Sequence, residues 1–302
     1  MREEWKYYGC IFVTGCLWGT NGVFIKLMEQ AGSSSLYTGF IRLLFSFLIL
    51  LIITIVKDGV KAFKVSKKTL LSCVLLGLLC QALYNYLYTT TISLLGMSLG
   101  SVMTYMSPVF ASILSFFIFR EKFGVRKYVA LVMNLVGCAL TVTGGKLDGF
   151  NFALSGVLFG VAAAFIYSLS GILGRFATDE GSAFAVCTYN FLFGVIFLGL
   201  FSHPWTTVQT PLNGSIWFYG FLYALLPTAF GYMFYFVGLS GVKESSKVPV
   251  VASVENVVAV IIGVYVFHEL IGLGNVIGIA LVLGSIAVMN LEGKRHDKVN
   301  HY

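Results

Sequence analysis

The stretch Ser245–Phe267, SSKVPVVASVENVVAVIIGVYVF, decides how this chain is read. At ~1.5 Å of rise per residue, a helix of that length crosses the ~30 Å hydrocarbon core of a bilayer. Glu255 sits near its middle, and no other acidic residue lies so deep in an apolar segment. A charge at the centre of a spanning helix costs ~2.5–3.5 kcal/mol on insertion scales, so such residues face a cavity or a partner and not lipid. The rest of the chain is therefore expected to build a water-accessible path around Glu255.

The composition agrees with a membrane protein. Of 302 residues, 58% are hydrophobic and 11% charged, with a mean hydropathy of +0.87; a soluble domain carries about 25% charged residues. The net charge of +7 does not mark a nucleic-acid binder, because the basic residues sit in short gaps between apolar runs. Cys10, Cys16, Cys73, Cys80, Cys138 and Cys187 all fall within apolar runs. They read as reduced packing residues, not as a disulfide framework or a metal site. Arg2 and Lys6 resemble the start of a signal peptide, but the apolar run continues through WGTNG to Lys26 with no small-residue cleavage site. The first segment therefore reads as a retained helix.

Ten spans follow, at residues 8–27, 36–56, 69–92, 97–119, 125–144, 152–175, 182–202, 214–238, 245–267 and 273–291. Short gaps make neighbouring helices antiparallel. With a cytoplasmic N-terminus, every Lys and Arg except Lys26, Arg42 and Lys146 falls in an inner segment. The positive-inside rule thus supports ten spans with both termini in the cytoplasm. The two halves also echo each other. Phe119-Arg120-Glu121 ends span 4 as Phe267-His268-Glu269 ends span 9, and Gly9 and Gly137 answer Gly156 and Gly284. Five spans is an odd number, so the second copy enters the membrane inverted. The expected fold is an all-α integral membrane protein of two inverted five-helix repeats, residues 1–146 and 147–292, with a cytoplasmic tail at 293–302. Inverted repeats are a transporter architecture, with the site at the repeat interface. Glycine pairs such as Gly15/Gly19, Gly156/Gly160 and Gly274/Gly278 read as helix contacts.

The residues Leu17-Trp18-Gly19-Thr20-Asn21, Arg42, Ser107-Pro108 with Glu121, and Glu255-Asn256 with Glu269 resemble the drug/metabolite transporter superfamily, EamA type. The resemblance covers essentially the whole chain. It implies two five-helix repeats, a central cavity, and export or uptake of small metabolites without ATP. One departure is Asn256, where the second repeat of that family often has proline; a kink is lost and an amide gained beside Glu255.

Candidate site residues come from stripes and from position. Gln81, Tyr84, Asn85 and Tyr88 have the spacing of one helical face. Thr228, Tyr232 and Tyr235 repeat that face 147 residues beyond Gln81, Asn85 and Tyr88. Polar stripes against lipid are costly, so these faces line a cavity or glue helices together. Trp18 and Asn21 sit one turn apart in span 1, with Phe165 and Ser168 as counterparts in span 6. Tyr105 precedes Pro108 by one turn, and Pro108 bends span 4 and frees a carbonyl. Arg42 either snorkels to the interface or holds a carboxylate; Lys26 reads as a snorkelling residue. Glu121 and Glu269 read as caps on the helices they precede. Glu255, about ten residues into its helix, escapes that explanation: it binds a cation, exchanges a proton, salt-bridges Arg42 or hydrogen-bonds Ser107 or a tyrosine.

The expected substrate set is therefore Trp18, Asn21, Arg42, Gln81, Tyr84, Asn85, Tyr88, Tyr105, Tyr232, Tyr235, Glu255 and Asn256. Aromatic walls with a carboxylate favour an ammonium group, and Arg42 would add a carboxylate subsite, as in an amino-acid-like zwitterion. A pure organic cation is the alternative. The partners expected are a small-molecule substrate and the lipid bilayer of the cytoplasmic membrane, with the chain a monomer or homodimer; no cofactor and no nucleic acid are expected. A different class is a non-transporting scaffold or an intramembrane hydrolase. Gly96-Met97-Ser98-Leu99-Gly100 matches G-x-S-x-G, but that motif needs a strand–turn–helix elbow.

Overall fold

Serine side chains start two of the long helices. Ser34 Oγ accepts a hydrogen bond from the Tyr37 N–H at 3.3 Å, and Ser66 Oγ one from the Thr69 N–H at 3.2 Å. Each covers a donor that a helix start leaves free. Gly59 and Gly144 close two helices with φ of 72° and 63°, a left-handed backbone that glycine adopts without strain. The computed structural model describes residues 4–95, 97–121, 124–145, 153–203, 206, 214–268 and 272–291, and these contain helices and no strand. Arg2, Lys122, Lys146, Glu269, Lys294, Arg295 and Lys298 lie outside the described residues.

Among the described residues, nine helical segments are long and apolar enough to cross a membrane. They are Trp5–Gln30 (span 1), Ser35–Asp58 (span 2), Lys67–Ile92 (span 3), Val102–Phe119 (span 4), Val125–Thr143 (span 5), Leu154–Glu180 (span 6), Ala183–Phe201 (span 7), Gly214–Leu239 (span 8) and Ser245–Val266 (span 9). A shorter apolar helix, Leu273–Met289, stands where span 10 is expected. The chain is a ten-helix, multi-pass membrane fold.

The pairing of the spans has its own pattern. Span 2 packs along span 7, and span 5 along span 10. Span 1 packs on the last part of span 8, span 3 on span 6, and span 4 on the start of span 9. Moving every number on by five maps this set of pairs onto itself. Close approach makes the span 5–span 10 contact possible: a Cβ on Gly278 would press into the backbone of Thr141 and Gly137. Gly278→Val should therefore destabilise the protein by about 1–3 kcal/mol, the usual cost of overpacking. Thermal unfolding in detergent measures this. Gly9→Val, with open space around it, should leave the unfolding temperature unchanged.

Several spans are interrupted. Spans 3 and 8 each contain a wide π-type turn, Leu76–Leu83 and Ala224–Phe230. Pro227 has no N–H to give the Tyr223 carbonyl. Thr228 Oγ1 donates to that carbonyl instead, at 2.9 Å. Ser46 Oγ covers Ala224 O at 3.2 Å, and Thr14 Oγ1 covers Gly231 O at 3.1 Å. Thr228, fully buried, thus repairs the backbone and does not line a cavity as its stripe suggests. Spans 4 and 9 are interrupted by tight turns, at Tyr105–Met106 and at Ser253, where the backbone stays right-handed and bonds of the i→i−3 type appear. Span 1 breaks at Gly19–Thr20, whereas its counterpart, span 6, is continuous from Leu154 to Glu180.

Candidate functional site

The break in span 9 changes the standing of Glu255. Helix Val248–Ala252 ends at Ser253, and a new helix, Val254–Phe267, begins with Glu255 in its first turn. Glu255 does not stand ten residues into a continuous helix. The Ser253 N–H reaches the carbonyls of Pro249 and Val250 at 3.1 and 3.3 Å, and the Asn256 N–H reaches Ser253 O at 3.1 Å. The first turn of a helix carries the positive end of the macrodipole, which favours a carboxylate. Discontinuous helices in transporters present such ends to anions near the bilayer midplane; here the anion is the protein's own. The Glu255 side chain has no hydrogen bond or ion pair with any described residue, so neither the bond to Ser107 or a tyrosine nor the bridge to Arg42 is formed. Tyr84, Tyr105, Tyr167 and Cys138 lie within its electrostatic reach.

Aromatic rings run on from there. Tyr84 stacks on Tyr88 at 5.5 Å and meets Tyr167 at 5.1 Å. Tyr167 meets Trp18 at 6.5 Å, and Trp18 packs on Tyr232 and Tyr235 at 5.0 and 5.3 Å. Trp18 is buried, and its Nε1–H has no partner among the described residues. Arg42 stands at the other end, its guanidinium 5.5 Å from the centre of the Tyr223 ring and within electrostatic reach of Tyr232. It has no carboxylate partner among the described residues.

Two narrow cavities flank this wall. One is lined by Trp18, Ser107, Ser115, Tyr167, Ser170 and Ser245, among others, and the second by Gln81, Asn190, Tyr232 and neighbours; both touch Tyr167, Ser170 and Tyr235. Neither is lined by Glu255 or Arg42. Glu255 stands three residues along the chain from Ala252, a wall of the first cavity.

The remaining sequence candidates divide. Gln81 is buried beside the second cavity. Asn85 folds back to give its amide to Gln81 O at 3.2 Å, because the π-type turn alters the register on which one continuous stripe depends. Asn21 starts the second half of span 1, so the break at Gly19–Thr20 separates it from Trp18's helix. Asn256 points away from the wall: its amide reaches Cys138 Sγ at 3.3 Å and Ser253 O at 3.2 Å. Consecutive helical residues lie ~100° apart, which sends Glu255 and Asn256 to different faces. Phe165 is 41% exposed and turned to Phe110; Tyr167 takes the place expected of it in the wall. Tyr167 was legible as the lone tyrosine of span 6. The cavity serines carried no comparable signal. Ser98 lies in helix Met97–Thr104, preceded by helix Tyr84–Leu95 and not by a strand, so the elbow of the hydrolase motif is missing; Gly96 and the Ser98 side chain lie outside the described residues.

Glu121 corrects another expectation. It does not cap span 5, which starts at Val125 after Gly124. Its Oε1 instead accepts the Ser245 N–H at 2.9 Å and its Oε2 the Ser246 hydroxyl, at the start of span 9. Lys127 approaches at 3.3 Å and Arg175 at 3.5 Å. Lys127, with no exposed side-chain surface, also lies 3.8 Å from Glu244, which pairs with Lys247 at 2.9 Å. Segments before span 5, within span 6 and before span 9 are thereby tied together at one end of the molecule. The basic link before span 3 lies beside the end of span 6, where Lys68 and Asp179 stand 4.0 Å apart.

The sequence profile of the EamA-like transporter family matches residues 5–143 and again residues 154–291. The chain belongs to the EamA-like transporter family. An uncharacterized transporter of Archaeoglobus fulgidus is 26% identical over 92% of this chain and 94% of its own length. The uncharacterized transporter YetK of Bacillus subtilis is 29% identical over 98% and 90%. The uncharacterized inner membrane transporter YicL of Salmonella typhimurium is 23% identical over 95% and 96%. A solved crystal structure superposes with a TM-score of 0.81 over 96% of this chain and 98% of that chain at 18% identity, which shows a shared fold. The protein is a membrane transporter, and its relatives bear transporter names, not enzyme names.

Proposed function

We propose that this transporter moves a small organic solute bearing an amino group across the cytoplasmic membrane by alternating access. The solute's ammonium meets Glu255, and its body lies along Trp18, Tyr84, Tyr88, Tyr105, Tyr167, Tyr232 and Tyr235. Gln81 supplies a polar contact, and Arg42 and the Trp18 Nε1–H receive a carboxylate where the solute has one. The two halves act as inverted repeats with both termini in the cytoplasm. The observation that carries this reading is Glu255: a carboxylate inside the membrane fold, at the first turn of a half-helix, with no cationic partner among the described residues. A carboxylate so placed is costly unless a cation or a proton joins it, and the tyrosines around it suit an ammonium.

The test is solute-driven charge movement in proteoliposomes at two pH values, for wild type and Glu255→Gln, with phenylethylamine and phenylalanine in the panel. Currents should depend on pH in wild type and vanish in the variant. Labelled-solute uptake covers electroneutral exchange. Unchanged affinity and pH dependence in Glu255→Gln would make Glu255 structural and sink the reading. Arg42→Ala separates the two solute types: phenylalanine transport should fall while phenylethylamine transport holds. Equal loss of both would remove Arg42 from the carboxylate subsite.

A further inference from the structure

The break that carries Glu255 is held from outside span 9. The Asn134 amide of span 5 donates to Ser253 Oγ at 2.6 Å and to Ser285 Oγ, in span 10, at 3.3 Å. The Ser253 hydroxyl in turn donates a hydrogen bond to Val250 O at 2.6 Å. Asn134 Oδ1 accepts from Cys138 Sγ at 3.9 Å, and Cys138 Sγ accepts from the Asn256 amide. Asn256 also bonds Ser253 O, the carbonyl at the break. Asn134, Cys138 and Ser285 are fully buried, and Ser253 and Asn256 nearly so. No glycine or proline stands at positions 252–254 to cause the interruption. A buried amide with both N–H groups engaged is costly to rearrange, since any position that frees one leaves an unpaired donor in an apolar interior.

We infer that Asn134 is the positioning residue for Glu255: through Ser253 it fixes where span 9 breaks, and so sets the Glu255 carboxylate in the first turn of the following helix. This rests on Glu255 being the working carboxylate of the solute site. Among the described residues, spans 5 and 10 line neither of the two cavities; on this inference they supply the fixed frame of the break. The titratable side chains around Glu255 come from other elements: Tyr84 of span 3, Tyr105 of span 4, Tyr167 of span 6 and Cys138 of span 5. Cys16 of span 1 packs against the same cluster.

The test needs no knowledge of the solute. Dicyclohexylcarbodiimide, an apolar reagent for protonated carboxyl groups, is applied to the full-length protein in proteoliposomes, and modification of the Glu255 peptide is followed by mass spectrometry. Asn134→Leu, which keeps the branched shape with more bulk and removes the amide, should raise the rate at Glu255 by about fivefold, the worth of one net hydrogen bond. Ser253→Ala, a smaller change that tolerates folding better, should do the same. Ser285→Ala frees the Asn134 N–H that does not reach Ser253, and should raise the rate less than Ser253→Ala does. A rate unchanged or lowered in both Asn134→Leu and Ser253→Ala overturns the inference, as does an equal rise in Ser285→Ala, which would mark general loosening. The solute reading fails separately, if Glu255→Gln transports normally. Absence of any Glu255 modification in wild type counts against both.

Discussion

Glu121→Gln should cost the protein about 3 kcal/mol or more of stability, the penalty for breaking a buried pair while leaving its partner charged. The Glu121 carboxylate is 7% exposed and Lys127 not at all. Without the negative charge, Lys127 loses its nearer carboxylate, and Glu244, at 3.8 Å, is already shared with Lys247. Arg175 is less affected, since its guanidinium also lies 4.2 Å from the centre of the Phe119 ring and it donates to Ser245 Oγ at 3.2 Å. Glutamine keeps the size of the side chain but cannot satisfy two cations and two donors at the start of span 9. Thermal unfolding in detergent gives the magnitude. Lys127→Met in the same chain should recover much of the loss, because it removes the buried cation that the first change leaves without its nearer counter-charge. Stability of Glu121→Gln within ~0.5 kcal/mol of wild type, the range of ordinary surface changes, would show that the cluster holds nothing together. On the alternating-access reading these same bonds join the ends of spans 4 and 9, so they must loosen whenever that end opens.

How much of this was legible beforehand follows from what lipid demands. Spanning helices must be long and apolar, so the ten spans and the bias of basic residues show in the sequence alone. Glu255 stood out for the same reason. The interruptions did not. Pro108 and Pro227 announce local trouble, yet Ser253 carries no such mark. The residue that stabilises its break, Asn134, lies 119 positions away. Glu121 looked like the cap of the helix that follows it, but its acceptors are used by Ser245 and Ser246, which a local rule cannot see. The stripe of span 3 assumed a uniform helical register, and the π-type turn at Leu76–Leu83 turned Asn85 back on its own backbone. Spans 3 and 8 share a π-type turn near the offset of the two halves, whereas span 1 is interrupted and span 6 is not. Sequence reasoning thus found which helices exist and misjudged where long-range hydrogen bonds bend them.

Glu255→Gln should show the opposite pattern to Glu121→Gln: intact stability with lost transport. Its carboxylate holds no described residue in place, so removing the charge takes away no internal bond and relieves the cost of keeping an anion inside the membrane. Unfolding temperature should stay level or rise. A solute ammonium, by contrast, loses its counter-charge within the membrane fold. Removing one partner of a buried, hydrogen-bonded ion pair costs about 2–5 kcal/mol, so amine uptake at limiting concentration should drop by at least ~30-fold. Glu255→Asp keeps the charge one methylene further back and should lose less. Wild-type uptake should climb with pH as the fraction of ionised Glu255 climbs, because only the carboxylate attracts an ammonium; the glutamine variant has nothing there to titrate and should be flat. A stable Glu255→Gln that carries amines at the wild-type rate would place the solute elsewhere along the Trp18–Tyr232 wall. A variant that unfolds would show that Glu255 serves the fold after all. Only stability kept and uptake lost together fit a carboxylate held in readiness for a cation from outside.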